Sequence, residues 1–179
     1  MGDAGALITN NQELATKMAM FARHGGLKKG SHEIEGINSR LDGIQAAILN
    51  IKIPHLSKWN ANRQKIARIY QERLSGVDGL IVPKVADNRE HVWHLFVIEC
   101  EQRDKLASYL NLHGIQTAIN YPIALPFLPA YAHRNYQPRD YPVSHSAQSR
   151  ILSLPMYPEL GVNDVNRICD LIINFFNHS

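Results

Sequence analysis

The stretch Glu35–Ile53, EGINSRLDGIQAAILNIKI, sets two patterns side by side. Gly36, Asn38 and Arg40 crowd a polar approach, and behind them Leu41, Ile44, Ile48 and Ile51 recur at the spacing of one helix face. A carboxamide and a guanidinium beside a helix mouth suit an anion such as a phosphate. Working outward, the helical phase resumes as Leu56, Trp59, Ile66 and Tyr70, so the spacing predicts one long helix over about 41–74. The step from 51 to 56 breaks the rhythm at Pro54, whose missing N–H predicts a kink. A helix bent there serves two bodies, so a division into 1–53 and 54–179 is expected, with Gly76 and Gly79 closing the helix.

Upstream, GDAGALITNN reads as a strand over Ala4–Thr9, with Gly2 and Gly5 permitting close backbone approach. Asn10 or Asn11 is expected to cap a helix over about 12–23 that ends at Gly25 and Gly26. A strand directly after Met1, with no lead-in, reads as the continuation of a longer fold. Downstream, HVWHLFVIEC (91–100) predicts a strand, EQRDKLASYLNLHG (101–114) a helix, and IQTAINYP (115–122) a second strand ended by Pro122. Residues 123–141 read as a loop with a short helix, and 144–158 as a short helix leading into an extended segment. GVNDVNRICDLIINFFNHS (161–179) is a closing amphipathic helix with Asn163 as its expected cap. Strands alternating with helices give an α/β class.

At 45% hydrophobic and 20% charged residues the composition is that of an ordinary globular protein. No apolar run approaches the ~20 residues of a membrane span and no signal-peptide pattern is visible, so no membrane partner is expected and a cytoplasmic location is. Cys100 and Cys169 match no paired motif and are expected to be buried thiols. Residues 1–90 carry 13 Lys/Arg against 9 Asp/Glu, whereas the remainder carries 6 against 7. That asymmetry favours small anionic ligands near the first half but falls short of the dense basic stripe expected of a nucleic-acid binder. The one basic cluster, RHGGLKKGSH (23–32), reads as a solvated loop.

No metal site is expected. His91 and His94 stand at i, i+3 on the expected strand, which points them to opposite faces, and no HExxH motif or Cys/His ligand set occurs. There is no G-x-S-x-G, and Ser31 beside Lys28 and Lys29 misses the P-loop spacing. Trp93 and His94 read as strand packing. Taken singly, Asn38 is also readable as a turn residue, Gln45 as a partner for nearby backbone, and Tyr121 as a core residue at a strand end.

The combination is more specific. GDAGALITNN, GINSRLDGIQAAIL, KIPHLSKWNANR, HVWHLFVIE, INYPIALPFLPAY and ILSLPMYPEL occur in the order of one family. Over essentially all 179 residues the chain resembles the C-terminal half of the DegT/DnrJ/EryC1/StrS sugar aminotransferases. The resemblance implies a partial aspartate-aminotransferase architecture of pyridoxal-phosphate fold type I. Residues 1–53 would then be the end of the large cofactor-binding domain with the start of the connecting helix, and 54–179 the small α/β domain. It implies transfer of an amino group, usually from glutamate, to a nucleotide-linked keto sugar, within a homodimer.

The same resemblance implies that Asn38 donates to the pyridoxal phosphate group held by the neighbouring subunit, that Arg40 assists with a phosphate or a donor carboxylate, and that Tyr121 and Asn120 line the sugar-nucleotide pocket. Two departures stand out. Asn120, Ala124 and Pro126 occupy places where the family often writes histidine or other variable residues, so no histidine contacts carry over. The Schiff-base lysine of the family precedes the Gly-Asp-x-Gly segment, and none of Lys17, Lys28 or Lys29 stands at a matching place. No catalytic residue is therefore assigned. The chain alone is expected to be inactive, to bind no cofactor stably, and to act with a missing N-terminal half. The rival expectation is a non-catalytic dimerisation or binding module derived from the same family.

Overall fold

The C-terminal helix carries the strongest apolar stripe in the sequence, and the core is built on it. The computed structural model describes residues 5–178. It falls into two compact units, Met1–Leu56 and Ser57–Ser179.

In the second unit the closing helix, α5 (Val162–Asn177), buries Val165, Ile168, Cys169 and Ile172 at 3–4-residue spacing. These meet Ile66, Ala67, Tyr70 and Leu74 from the end of the long helix α2 (Gly43–Leu74) and Leu106 and Leu110 from α3 (Arg103–Leu112). The opposing layer is a two-stranded antiparallel sheet, β1 (Phe96–Glu99) against β2 (Ile151–Leu154), in the register Phe96 to Leu154 and Ile98 to Leu152. Isolated bridges extend it on each side, Ile81 to Glu99 and Ala118 to Ser153. Phe96, Ile98, Leu152 and Leu154 complete the core. Three 3-10 turns between Leu125 and Asp140 and a short helix α4 (Pro142–Ala147) connect into β2. Cys100 and Cys169 are buried free thiols. Burial pushes both up, Cys169 to about 11, so neither is a thiolate at neutral pH.

Two expected strands are shortened for identifiable reasons. Residues 91–95 are not strand: Trp93 sits at φ 52°, and its amide donates to His91 Nδ1 at 2.9 Å. The carbonyls of Trp93 and His94 each accept from Arg63 Nη1 at 3.2 Å, and that nitrogen also donates to Met156 O at 2.8 Å. A guanidinium has taken the place of a neighbouring strand. The opposite-face geometry expected of His91 and His94 therefore does not apply. Exchanging Arg63 for methionine keeps the apolar stem and orphans three carbonyls, two of them in partly buried bonds. It should lower unfolding free energy by about 2 kcal/mol in a urea titration, and a loss below half that would disprove the anchoring role. The expected strand 115–122 is reduced to the single pairing of Ala118 with Ser153, because Asn120 turns its side chain, not its backbone, to that residue.

In the first unit, α1 (Gln12–Phe21) starts at Asn11, whose Oδ1 accepts from Leu14 N at 2.9 Å. The expected strand Ala4–Thr9 is absent over residues 5–9; Gly2 and Ala4 lie outside the described residues. An extended segment becomes a strand only when a partner backbone takes its hydrogen bonds. Leu7 and Ile8 are instead 77% and 96% exposed, and nothing crowds the Cβ position of Gly5. The long helix α2 runs unbroken through Pro54. Leu41, just before it, and Ile44, Ile51 and Ile53 in its first three turns are exposed. At α5, Gly161, not Asn163, is the N-cap, and Asn163 lies inside the first turn.

Candidate functional site

The C-terminal end of α1 leaves carbonyls that its own helix cannot satisfy. The returning segment Glu33–Ser39 supplies the donors: Ile37 N to Phe21 O at 2.8 Å and Ser39 N to Ala22 O at 3.0 Å, while His24 N donates back to Ile37 O at 3.0 Å. Arg23 and Asn38 thereby face each other as an antiparallel bridge whose hydrogen bonds lie on their flanking residues. The main-chain groups of Asn38 point away from the bridge, as do those of any residue in this type of pair.

The side chain of Asn38 is exposed and held by Arg40, whose Nε donates to Asn38 Oδ1 at 3.1 Å. That bond occupies the acceptor end of the carboxamide and turns its NH2 outward as a donor. The structure thus brings two of the residues picked out by sequence together. They lie on the segment leading to α2 and not inside its first turn; the helix begins three residues after Arg40.

Asn120 and Tyr121 belong to the second unit. Asn120 is half-buried and its Oδ1 accepts from Ser153 Oγ at 2.9 Å, which ties it to β2. Tyr121 follows and is 74% exposed. The next turn is pinned by Gln148, whose Oε1 accepts from Ala124 N at 2.9 Å. Sequence reasoning missed Gln148, and no periodicity links positions 124 and 148. Beyond it, Leu125, Pro126, Tyr131, Arg134, Tyr136 and Tyr141 line a hollow of about 410 Å3, with Tyr136 edge-on to Tyr141 at 5.1 Å. Among the described residues no group of three or more His, Cys, Asp or Glu is placed to hold a metal ion, and no helix is long and apolar enough to cross a membrane.

Residues 1–173 match the sequence model of the DegT/DnrJ/EryC1/StrS aminotransferase family. The chain is 41% identical over 161 residues to the erythromycin biosynthesis sensory transduction protein EryC1 of Saccharopolyspora erythraea, covering 90% of this chain and 44% of that protein. It is 39% identical over 171 residues to the dTDP-3-amino-3,4,6-trideoxy-alpha-D-glucose transaminase of Streptomyces venezuelae, covering 96% of this chain and 45% of that one. The solved structure of S. venezuelae DesV, in complex with a ketimine intermediate, superposes with a TM-score of 0.88 at 36% identity, over 94% of this chain and 46% of that chain. The chain spans about half the length of the curated relatives it matches. Its α/β fold is that of the corresponding part of these aminotransferases.

Proposed function

Since the chain belongs to the DegT/DnrJ/EryC1/StrS aminotransferase family, we propose that it is the C-terminal portion of an enzyme that aminates nucleotide-linked keto sugars, with glutamate as the donor. The family depends on pyridoxal phosphate, which supplies the electron sink for moving an amino group. In this reading residues 1–53 close the large cofactor-binding domain and 54–179 form the small domain.

The observation that carries the reading is the Arg40–Asn38 bond. It fixes a neutral amide donor with its NH2 outward, next to a guanidinium, and neither is paired with a carboxylate among the described residues. Such a pair fits a phosphate: the amide adds a donor without the desolvation cost of a second full charge, and the guanidinium supplies the counter-charge. Asn38 would hold the cofactor phosphate of a neighbouring subunit, and Arg40 would orient that amide. Asn120, braced by Ser153, and the exposed Tyr121 would contact the sugar nucleotide.

The lysine that carries the cofactor is not assigned to Lys17, Lys28 or Lys29, so the chain alone should not transaminate. Co-production with a chain bearing the N-terminal half of a family enzyme should restore amino transfer from glutamate to a dTDP- or UDP-linked keto sugar. Asn38→Ala in that assembly should weaken pyridoxal phosphate binding about tenfold, the loss of one hydrogen bond to a charged group. No turnover from two folded partners would overturn the split-enzyme reading.

A second reading is favoured by the exposed apolar residues of early α2, where Ile44 is 77% and Ile51 71% exposed. Such a face drives association. A chain that self-associates in sedimentation but binds neither cofactor nor sugar nucleotide would be a dimerisation module of the same family.

A further inference from the structure

Two carboxamides frame the segment that carries Tyr121, and both have spent their oxygen inside the fold. Asn120 Oδ1 accepts from Ser153 Oγ at 2.9 Å, and Gln148 Oε1 accepts from Ala124 N at 2.9 Å. A primary amide has one acceptor end and one donor end, so an oxygen used internally leaves the NH2 as the free end. Neither Asn120 Nδ2 nor Gln148 Nε2 has a partner among the described residues. Among those residues the buried polar side-chain atom without a partner is Arg103 Nε, so both NH2 groups retain access to solvent.

The orientation of Asn120 is set by the strand beneath it. Ser153 lies in β2 and is 4% exposed, and its backbone is already committed. Ala118 N donates to Ser153 O at 3.2 Å, and Ser153 N donates to Ala118 O at 2.7 Å. The hydroxyl then has one acceptor among the described residues, Asn120 Oδ1. Turning the carboxamide over would set its NH2 against the hydroxyl oxygen and strand the hydroxyl proton in a buried place, which is costly. Around this contact the chain is free of carboxylates: residues 115–135 and 144–150 contain no Asp or Glu.

We infer that Ser153 is a positioning residue that fixes Asn120 as a hydrogen-bond donor, so that the ligand group meeting Asn120 is an oxygen acceptor (a keto, hydroxyl or acyl oxygen) and not an ammonium. The inference rests on the reading above for the identity of that ligand as the sugar. A histidine at such a place would donate or accept according to its tautomer. Asn120, braced by Ser153, has no such choice. The contact discriminates through unpaired groups, since a ligand donor placed there leaves two donors facing each other without partners.

The orientation is read by NMR on the 179-residue chain itself. The side-chain amide cross-peaks of Asn120, identified by their loss in Asn120→Asp, should show no strong NOE to the Ser153 β-protons. They should shift in Ser153→Ala and return close to the parent positions in Ser153→Thr, which keeps the hydroxyl. The ligand group is read kinetically in the co-produced assembly, with a dTDP- or UDP-linked keto sugar. Asn120→Asp keeps an acceptor for Ser153 but puts a carboxylate oxygen where the donor was, and should raise the KM for the sugar at least about tenfold. Ser153→Ala should raise it about threefold to tenfold, and Ser153→Thr should restore it. In the Asn120→Asp background Ser153→Ala should add less than about twofold, because it acts through that carboxamide.

A strong NOE from the Asn120 NH2 to the Ser153 β-protons would overturn the inference, since the carboxamide would then face the serine with its nitrogen. So would an unchanged or lowered sugar KM in Asn120→Asp, which would make the facing ligand group a donor. Equal effects of Ser153→Ala with and without Asn120→Asp would remove the positioning role. No turnover from two folded partners would remove the proposed function, and the NOE would still decide the orientation of Asn120. Turnover together with a reversed amide would keep the proposed function and remove this inference.

Discussion

Tyr70→Ala is expected to lower the unfolding free energy by about 3–5 kcal/mol, the range for deleting a fully buried large aromatic. Tyr70 has no solvent exposure, and its ring packs on Phe96 with centroids 4.9 Å apart. It stands where three elements meet: α2, which carries it, β1 through Phe96, and the end of β2 through Pro155, whose carbonyl accepts its hydroxyl at 3.0 Å. Truncation removes the ring contacts and orphans that carbonyl together. Tyr70→Phe separates the two, since it keeps the ring and should cost about 1 kcal/mol for the lost hydrogen bond alone. Burial holds the phenol well above its ordinary value, with Cys169 and Tyr157 adding to the rise. A group whose folded pKa is raised binds its proton more tightly folded than unfolded. Below the ordinary tyrosine range both states are protonated and the hydroxyl contributes no pH dependence. As pH rises through and above about 10, only the unfolded state releases its proton, and stability falls. Urea titrations followed by tryptophan fluorescence, from Trp59 and from Trp93, which is buried 5.2 Å from the Phe96 ring, read both variants. A cost of 1 kcal/mol or less for Tyr70→Ala would show that the three elements are held together without it.

The elements legible in the sequence were those whose apolar spacing reports one continuous face. The amphipathic pattern of residues 161–179 and the recurrence of Ile66 and Tyr70 mark α5 and the later turns of α2, and Val165, Ile168, Ile172, Ile66 and Tyr70 are all buried. The α1 cap was legible because an asparagine before a helical phase has a local job, and Asn11 performs it. Strand readings failed where the hydrogen-bond partner was not another strand. A β-branched, aromatic run such as HVWHLFVIEC reports side-chain preference, whereas Arg63 decides which carbonyls remain for a ladder. Residues 5–9 failed for the same reason from the other side, having no partner among the described residues. At the candidate site, Asn38 and Arg40 could be picked out because motif and chemistry coincide within three positions. The cleft beside them is written in the sequence only as the charge run 23–32, which by itself reads as a solvated loop. Its walls are made by backbone contacts of Gly25 with Ile34 and Gly26 with Ser31, which follow no periodicity and leave no side-chain signal.

Those glycine contacts carry the second large expectation. Gly25→Ala should abolish the ordered 24–38 loop, at a cost of at least about 3 kcal/mol to that unit, in the class of overpacked and backbone-strained substitutions. Two terms add. Gly25 sits at φ +90°, where an L side chain is strained, and the new β-carbon would lie 1.6 Å from Ile34 O, inside any tolerable contact. The obstacle is backbone and cannot rotate away. Relief requires parting the two arms, which breaks the bonds from Glu33 N and Ile34 N to Gly25 O and then the pairing that holds Asn38 opposite Arg23. Gly30→Ala supplies the comparison: φ is +82° there too, but nothing lies within 4 Å of the added carbon, so only the conformational term of about 1 kcal/mol remains. Hydrogen exchange of the Glu33 and Ile34 amides reads the difference directly. Both should exchange at close to unprotected rates in Gly25→Ala and stay protected in Gly30→Ala. The unfolding transition of the second unit, reported by Trp59 and Trp93, should stay that of the parent in both variants. Protection that survives in Gly25→Ala would mean that the loop closes without the backbone contact. The cationic cleft would then lose its rigid wall, and the reading of Arg23–His32 as a solvated loop would return.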